Sequence, residues 1–199
     1  MSAMQAAGSG QDDVSTETKP RPVGDVGSSS GSPDDGPSLV SPDTFKSVFR
    51  QHPAGVVVVT FAGNGQLHGF TATSLISVSA DPPVLTFSID SGSSSWPALA
   101  EVDTLVVNFL AAAQVEVSAR FATHGIDRFA DGGWSLLPTG EPVLDGSPSW
   151  VRGRVLQRTA IGRSFLVSVL ALEVVHAGST APLVYHDRTY HALGDHTIL

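Results

Sequence analysis

The spacing of apolar and polar residues divides the chain near residue 40. From Met1 to Leu39 the sequence is Gly, Ser, Asp and Pro with almost no large apolar side chain, too little to offset the entropy of ordering it. Residues 1–40 are therefore expected to form a disordered tail, and residues 41–199 one folded domain. Order is expected to begin at Ser41-Pro42-Asp43, with a hydroxyl cap, a proline at the first helical position and an acid in the first turn. Phe45, Val48, Phe49 and His52 then recur at helical spacing, so a short helix runs to about Pro53.

After Gly55 the period becomes that of strands. Val56 to Phe61 is a β-branched run, and Gly63-Asn64-Gly65 predicts a hairpin turn into a second strand. Val84 to Ile89 and Thr104 to Leu110 read as buried strands, with a turn or two of helix at Ser95 to Leu99 between them. Ala111 to Thr123 predicts a second helix with Ala112, Val115, Ala119 and Ala122 on one face and Phe121 beside it. Strands return at Ser149 to Gln157 and Phe165 to His176. A hairpin follows, with Pro182 to Tyr185 and Tyr190 to Leu193 around Asp187-Arg188. Many short strands with a few flanking helices predict a mainly β fold, a closed antiparallel, Greek-key-like barrel, because closure removes exposed edges.

Charge changes this picture little. The chain has 199 residues with 11 Lys+Arg against 19 Asp+Glu, and its first forty residues carry −4 of the formal −8, with six acids against Lys19 and Arg21. The remaining arginines are scattered, so neither duplex nucleic acid nor a membrane is expected as a partner. No cysteine occurs, which excludes disulfides, thiolate metal sites and cysteine nucleophiles. No secretory signal or membrane-spanning run is apparent, and a cytoplasmic protein is the expectation.

Candidate chemistry concentrates in His68 to Val84, HGFTATSLISVSADPPV, a stretch with five hydroxyls and no lysine or arginine. It breaks at Asp81-Pro82-Pro83, where ladder pairing is disfavoured, so the hydroxyls fall near an irregular rim. Hydroxyls and free backbone N–H groups at a rim can hold a phosphate or a polyhydroxyl chain without a glycine loop. On pattern alone, Thr71, Thr73, Ser77 and Ser79 also read as solvent-facing positions of an alternating strand.

Ala54 to Thr60, Gly69-Phe70-Thr71-Ala72-Thr73-Ser74 and Ser77-Val78-Ser79-Ala80-Asp81-Pro82-Pro83 together resemble the short-chain flavin reductase family of the FMN-binding split-barrel fold. Val107-Asn108-Phe109-Leu110, Ala119-Arg120-Phe121-Ala122, Asp127-Arg128-Phe129, Gly140 to Leu144 and Pro182 to Tyr185 follow in the family's order. The resemblance implies a homodimer that binds FMN or FAD near the subunit interface and reduces it with NADH or NADPH, with a flavin-dependent monooxygenase as a candidate recipient. It further implies that Thr71, Ala72, Thr73 and Ser74 hold the phosphate and ribityl chain, and that Ser77, Val78 and Ser79 line the isoalloxazine. Ser94 or Ser95 and Arg120-Phe121-Ala122 would complete the phosphate site. A guanidinium there could bond phosphate bidentately; the competing reading of Arg120 is a helix-surface charge.

One departure bears on activity. Where the family commonly carries Gly-Asp-His, its histidine near the nicotinamide, this chain has Gly162-Arg163-Ser164. Arg163 and Ser164 are thus the candidate residues on the nicotinamide side. The departure leaves two alternatives: a flavoprotein oxidase or oxygenase using bound FMN on another substrate, or a flavin-binding module without reductase activity. A literal Gly194-Asp195-His196 near the C-terminus is read as coincidence. His186, His191 and His196 recur every five residues, but no metal site is expected, and Ser118, Ser147 and Ser164 lack a nucleophile-elbow context.

Overall fold

The computed structural model describes residues 38–178, 180–194 and 197–198. The expected tail therefore lies almost wholly outside the described residues, as do Asp195 and His196. The folded unit starts with helix α1 (Pro42–Arg50), whose Ser41 hydroxyl accepts from Thr44 N–H at 3.2 Å. Its strands are β1 (Ala54–Gly55), β2 (Val57–Gly63), β3 (Gln66–Ala72), β4 (Ile76–Ala80), β5 (Pro83–Asp90) and β6 (Thr104–Phe109), then β7 (Trp134–Leu136), β8 (Pro142–Leu144), β9 (Ser149–Ile161), β10 (Ser164–His176), β11 (Leu183–His186) and β12 (Thr189–Ala192). Helix α2 (Trp96–Leu99) precedes β6; a 3-10 turn (Ala112–Gln114) and helix α3 (Val115–Ala122) follow it.

A seven-stranded antiparallel sheet in the order β3-β2-β6-β9-β10-β5-β4 carries the fold, with a three-stranded sheet β1-β11-β12 and a β7-β8 ribbon outside it. The fold is mainly β as expected; the hydrogen-bonded ladder runs from β3 to β4, and no sheet among the described residues closes on itself. The reason is local. The chain leaves β3 after Ala72 and crosses by residues 73–75 to β4, which pairs with β5, so β3 and β5 approach without pairing. Ser74 spans the seam by hydrogen bonds, its Oγ accepting from Ser88 N–H at 2.9 Å and donating to Ser88 C=O at 3.2 Å, and the Phe70 and Phe87 rings pack across it with centres 5.9 Å apart.

Strand β2 explains its own composition. Val57, Val59 and Phe61 enter one apolar cluster with Phe70, Phe87 and Val167. Val56 and Val58 enter a second cluster with Phe121, Phe129, Leu144 and Leu183. A strand covered on both faces needs a continuous rather than alternating apolar run. The turn to β3 is as expected, with Asn64 and Gly65 both at positive φ.

Helix α3 departs from its expected face. Ala119 and Ala122 are exposed and Val115 borders on exposure, whereas Gln114, Ser118 and Phe121 are buried. The polar members are tolerated because they are bonded: Gln114 accepts from Ala111 N–H and donates to Asp145 C=O, both at 3.0 Å, and Ser118 meets the Tyr190 hydroxyl at 2.9 Å. Hydrogen bonding here overrides the apolar period. Among the described residues no helix is long and apolar enough to cross a membrane.

Candidate functional site

The open seam between β3 and β5 forms a groove of about 370 Å³. Thr71, Ala72, Thr73 and Ser74 line one wall, Ser88 and Asp90 the other, and Phe121 and Ala122 at the end of α3 contribute as well. The structure thus brings together the expected Thr71–Ser74 run and the Phe121-Ala122 pair, from elements about fifty residues apart. Gly69 makes their approach close: a Cβ on it would lie 2.7 Å from a Phe121 ring carbon and 3.0 Å from Val59 C=O. Only glycine lets the phenyl ring lie against the strand here.

The hydroxyls are not equivalent. Thr71 donates to Ser118 C=O at 2.7 Å and Ser74 is engaged with Ser88, so both are committed to the protein. Thr73 is exposed and forms no such internal bond, which leaves its hydroxyl available to a ligand. Thr73 also borders a cavity of about 350 Å³ between α1 and the β11–β12 turn, where Lys46, Arg50, Tyr185 and Arg188 face the same space.

Arg120, expected at the phosphate, is not among the groove's lining residues. Its Nη1 lies 3.5 Å from Asp131 and its guanidinium sits 5.7 Å from the Phe121 ring centre. The guanidinium that faces the groove is Arg128. It donates from Nε and Nη2 to Thr123 C=O, at 3.0 and 2.7 Å, and from Nη1 to Gly69 C=O at 2.7 Å and Ser95 Oγ at 3.2 Å. All three acceptors of these four bonds are neutral, and one of its five N–H groups is left over. The ion pairs among the described residues are Arg120–Asp131 and Arg152–Glu141, so Arg128 has no carboxylate partner. Burial pushes its guanidinium below its ordinary value. A half-buried cation bonded only to neutral groups gains from an anion, and the residues around it therefore fit a phosphate. Arg128 lay within the Asp127-Arg128-Phe129 match, the one sequence signal that pointed to it; Ser88 and Asp90, alternating on β5, gave none.

The other expected residues lie around this groove. Ser94 and Ser95 line a larger cavity, about 590 Å³, which Arg128 also lines; Ser95 is buried and gives its proton to Gly69 C=O. Ser77 and Ser79 line a separate cavity of about 340 Å³ with Leu75, Phe109 and Val151. Val78 sits between them at a break in the β4–β5 register, where Ser77 opposes Leu85 and Ser79 opposes Val84, and is exposed. Such a bulge re-aims side chains at a sheet edge.

Arg163 and Ser164 sit at the β9–β10 turn. Arg163 is exposed and its C=O accepts from Ser91 N–H at 2.9 Å, while Ser164 pairs with Asp90, a groove residue. The turn is held by Phe165, whose ring stacks on Trp96 with centres 3.7 Å apart. His186 and His191 face each other across the last hairpin at 5.8 Å between rings, and among the described residues no group of three metal-ligating side chains forms.

The family model described as flavin reductase like domain matches residues 49–194. An NADH:FMN oxidoreductase of Rhodococcus erythropolis is 44% identical over 154 residues, covering 74% of this chain and 79% of that protein. Among solved structures, a flavin reductase domain protein from Arthrobacter sp. FB24 superposes with a TM-score of 0.73 at 37% identity, covering 76% of this chain and 95% of that one. Nitrilotriacetate monooxygenase component B from Mycobacterium thermoresistibile superposes with a TM-score of 0.74 at 28% identity, over 79% of this chain and 89% of that one. With residues 49–194 matched by the family model and most of the chain by relatives, this chain belongs to the flavin reductase like domain family.

Proposed function

We propose that this chain is an NAD(P)H-dependent flavin reductase that grips FMN or FAD by its phosphate in the groove between β3 and β5. The observation that carries the reading is Arg128, a half-buried guanidinium with no carboxylate partner among the described residues, lining a groove whose Thr73 hydroxyl is uncommitted. Arg128 and Thr73 would bond the phosphate, with Phe121 and Ala122 forming the floor. Ser77, Val78 and Ser79 would border the ring, where the apolar surroundings of Leu75 and Phe109 suit a planar group. The flavin, when bound, supplies the hydride acceptor, so the chain need provide no acid or base for that step. Its own residues bind, orient the ring and exclude water from one face.

Arg163 and Ser164 take the nicotinamide side in this reading, next to Asp90. Arg163 is free to meet an anionic group of the reductant. The same replacement of the family's Gly-Asp-His favours a second reading, in which a bound FMN serves another substrate as in an oxidase or oxygenase. The domain is residues 41–199, taken as a split barrel whose seam is the flavin site, and the functional unit is a homodimer. A flavin-dependent monooxygenase would receive the reduced flavin, as the name of the Mycobacterium thermoresistibile neighbour suggests for that protein.

Anaerobic mixing of the protein with FMN and NADH or NADPH tests the reading. Rapid bleaching of the flavin absorbance, dependent on the protein, is expected. A flavin that binds but is not bleached by either nicotinamide moves the assignment to the second reading.

A further inference from the structure

We infer that Arg158 is a positioning residue for flavin phosphate binding: it holds helix α2 in the place from which Ser95 orients Arg128. The inference rests on the reading of Arg128 as the phosphate's guanidinium and names what fixes that guanidinium in turn. Ser95 is the N-cap of α2, and an N-cap serine ordinarily accepts from the first N–H groups of its own helix. Here its side chain makes no such bond. Its hydroxyl is buried, donates to Gly69 C=O at 3.3 Å and accepts from Arg128 Nη1 at 3.2 Å. The same Nη1 reaches Gly69 C=O at 2.7 Å, so Ser95, Gly69 and Arg128 close a triangle that sets the direction of the guanidinium. Ser95 thus acts on the phosphate through Arg128, and its helix is left without a side-chain cap.

That helix needs holding from elsewhere. It has four residues, one of them Pro97, and a single turn is not stable by itself. Arg158, on β9, holds the other end: its Nε donates to Leu99 C=O at 2.9 Å and its Nη2 donates to Val102 C=O. Carbonyls at the end of a helix have no partner within it. Glu101 and Asp103 flank Val102 in sequence, yet the ion pairs among the described residues are Arg120–Asp131 and Arg152–Glu141, so Arg158 is bonded to the backbone at the helix end and not to an acid. Ala98 and Leu99 pack in the larger apolar cluster and Trp96 stacks on Phe165. Such apolar contact is non-directional and keeps the turn against the sheet, whereas the two bonds from Arg158 set its rotation and slide. One turn spans about 6 Å, short enough for a shift at Leu99 to be felt at Ser95.

The test titrates the full chain and its variants Arg158→Met, Arg158→Lys and Ser95→Ala with FMN and with riboflavin, and measures each melting temperature. Wild type is expected to bind FMN the tighter. Arg158→Met is expected to cut that preference about five- to tenfold with riboflavin affinity unchanged. Arg158→Lys, which keeps a donor at the helix end, is expected to fall between the two, and Ser95→Ala to match Arg158→Met. Ser95→Ala combined with Arg158→Met should lose little more than either alone, since both act along one path. A purely structural role would lower the melting temperature and weaken both flavins alike; that result, or an unchanged FMN preference in Arg158→Met, overturns the inference. If Arg158→Met yields no folded protein, Arg158→Lys decides: a reduced preference supports the role and one equal to wild type overturns it. A wild type that binds FMN no tighter than riboflavin brings down the phosphate reading of Arg128, and the positioning role with it.

Discussion

At the scale of single residues, the site separates hydroxyls that hold the protein together from those free to hold a ligand. Ser74 bridges the seam to Ser88, and Thr73 beside it is uncommitted. Thr73→Ala is expected to weaken FMN binding by about 1 kcal/mol, roughly fivefold in Kd, with an unchanged melting temperature. Ser74→Ala is expected to lower the melting temperature as well, since it unties β3 from β5; the two together should cost FMN binding about 1–3 kcal/mol. Flavin titration and thermal unfolding of each variant separate these effects, and equal melting temperatures would sink the bridging role of Ser74. The hydroxyl cluster itself was legible from sequence. Which of its members are spent was not, because Ser118 and Ser88 reach it from positions whose local pattern gives no hint of the contact. The same holds for arginine: Arg120 and Arg128 look alike in sequence, and only the fold directs one to Asp131 and the other to the groove.

At the scale of elements, the long apolar strands and the two hairpin turns were readable because burial on both faces demands continuous β-branched runs. The short β7–β8 ribbon was not, since its anchor is polar. Asn108 on β6 donates to Val58 C=O and Thr60 Oγ1 at 3.0 Å and accepts from Leu144 N–H at 2.9 Å. Glu141, next to β8, pairs with Arg152 on β9 at 2.9 Å and also bonds Thr139. Burial raises the Glu141 carboxyl, but the bonds from Arg152, Thr104 and Thr139 outweigh it and bring its pKa from 4.5 to about 2. A folded-state value below the unfolded one stabilises the protein above pH 4.5 and loses that contribution as pH falls towards 2. Glu141→Gln is expected to be less stable than wild type at neutral pH by up to about 3 kcal/mol, because Arg152 loses its partner. The gap should narrow as pH falls below 4.5. Urea unfolding of both proteins across that range checks it; a gap independent of pH would rule out the carboxylate as the source.

At the scale of the whole molecule, the sheet leaves apolar side chains uncovered. Ile76 on β4 is 58% exposed and Val174 on β10 61%. The cavities these two residues line share Phe109 and Val151, which makes one continuous apolar patch. Contiguous patches of this kind mark interfaces, in keeping with the homodimer proposed above. Light scattering is expected to give twice the chain mass for wild type, and Ile76→Asp with Val174→Asp is expected to give a monomer; a wild-type monomer would contradict the assembly. The mainly β class was legible from the strand count; the pairing of β4 with β5 rather than with β3 was not, because no local pattern records the crossing of residues 73–75 between them.

The central claim is that Arg128 holds a phosphate in the β3–β5 seam. Titrating wild type and Arg128→Ala with FMN and with riboflavin, which lacks the phosphate, tests it most directly. The account predicts saturable FMN binding that weakens about 10- to 100-fold in the variant, the loss of a charge-assisted bond of about 1.5–3 kcal/mol, while riboflavin affinity stays the same. Equal losses for both ligands, or no saturable FMN binding by wild type, would contradict it.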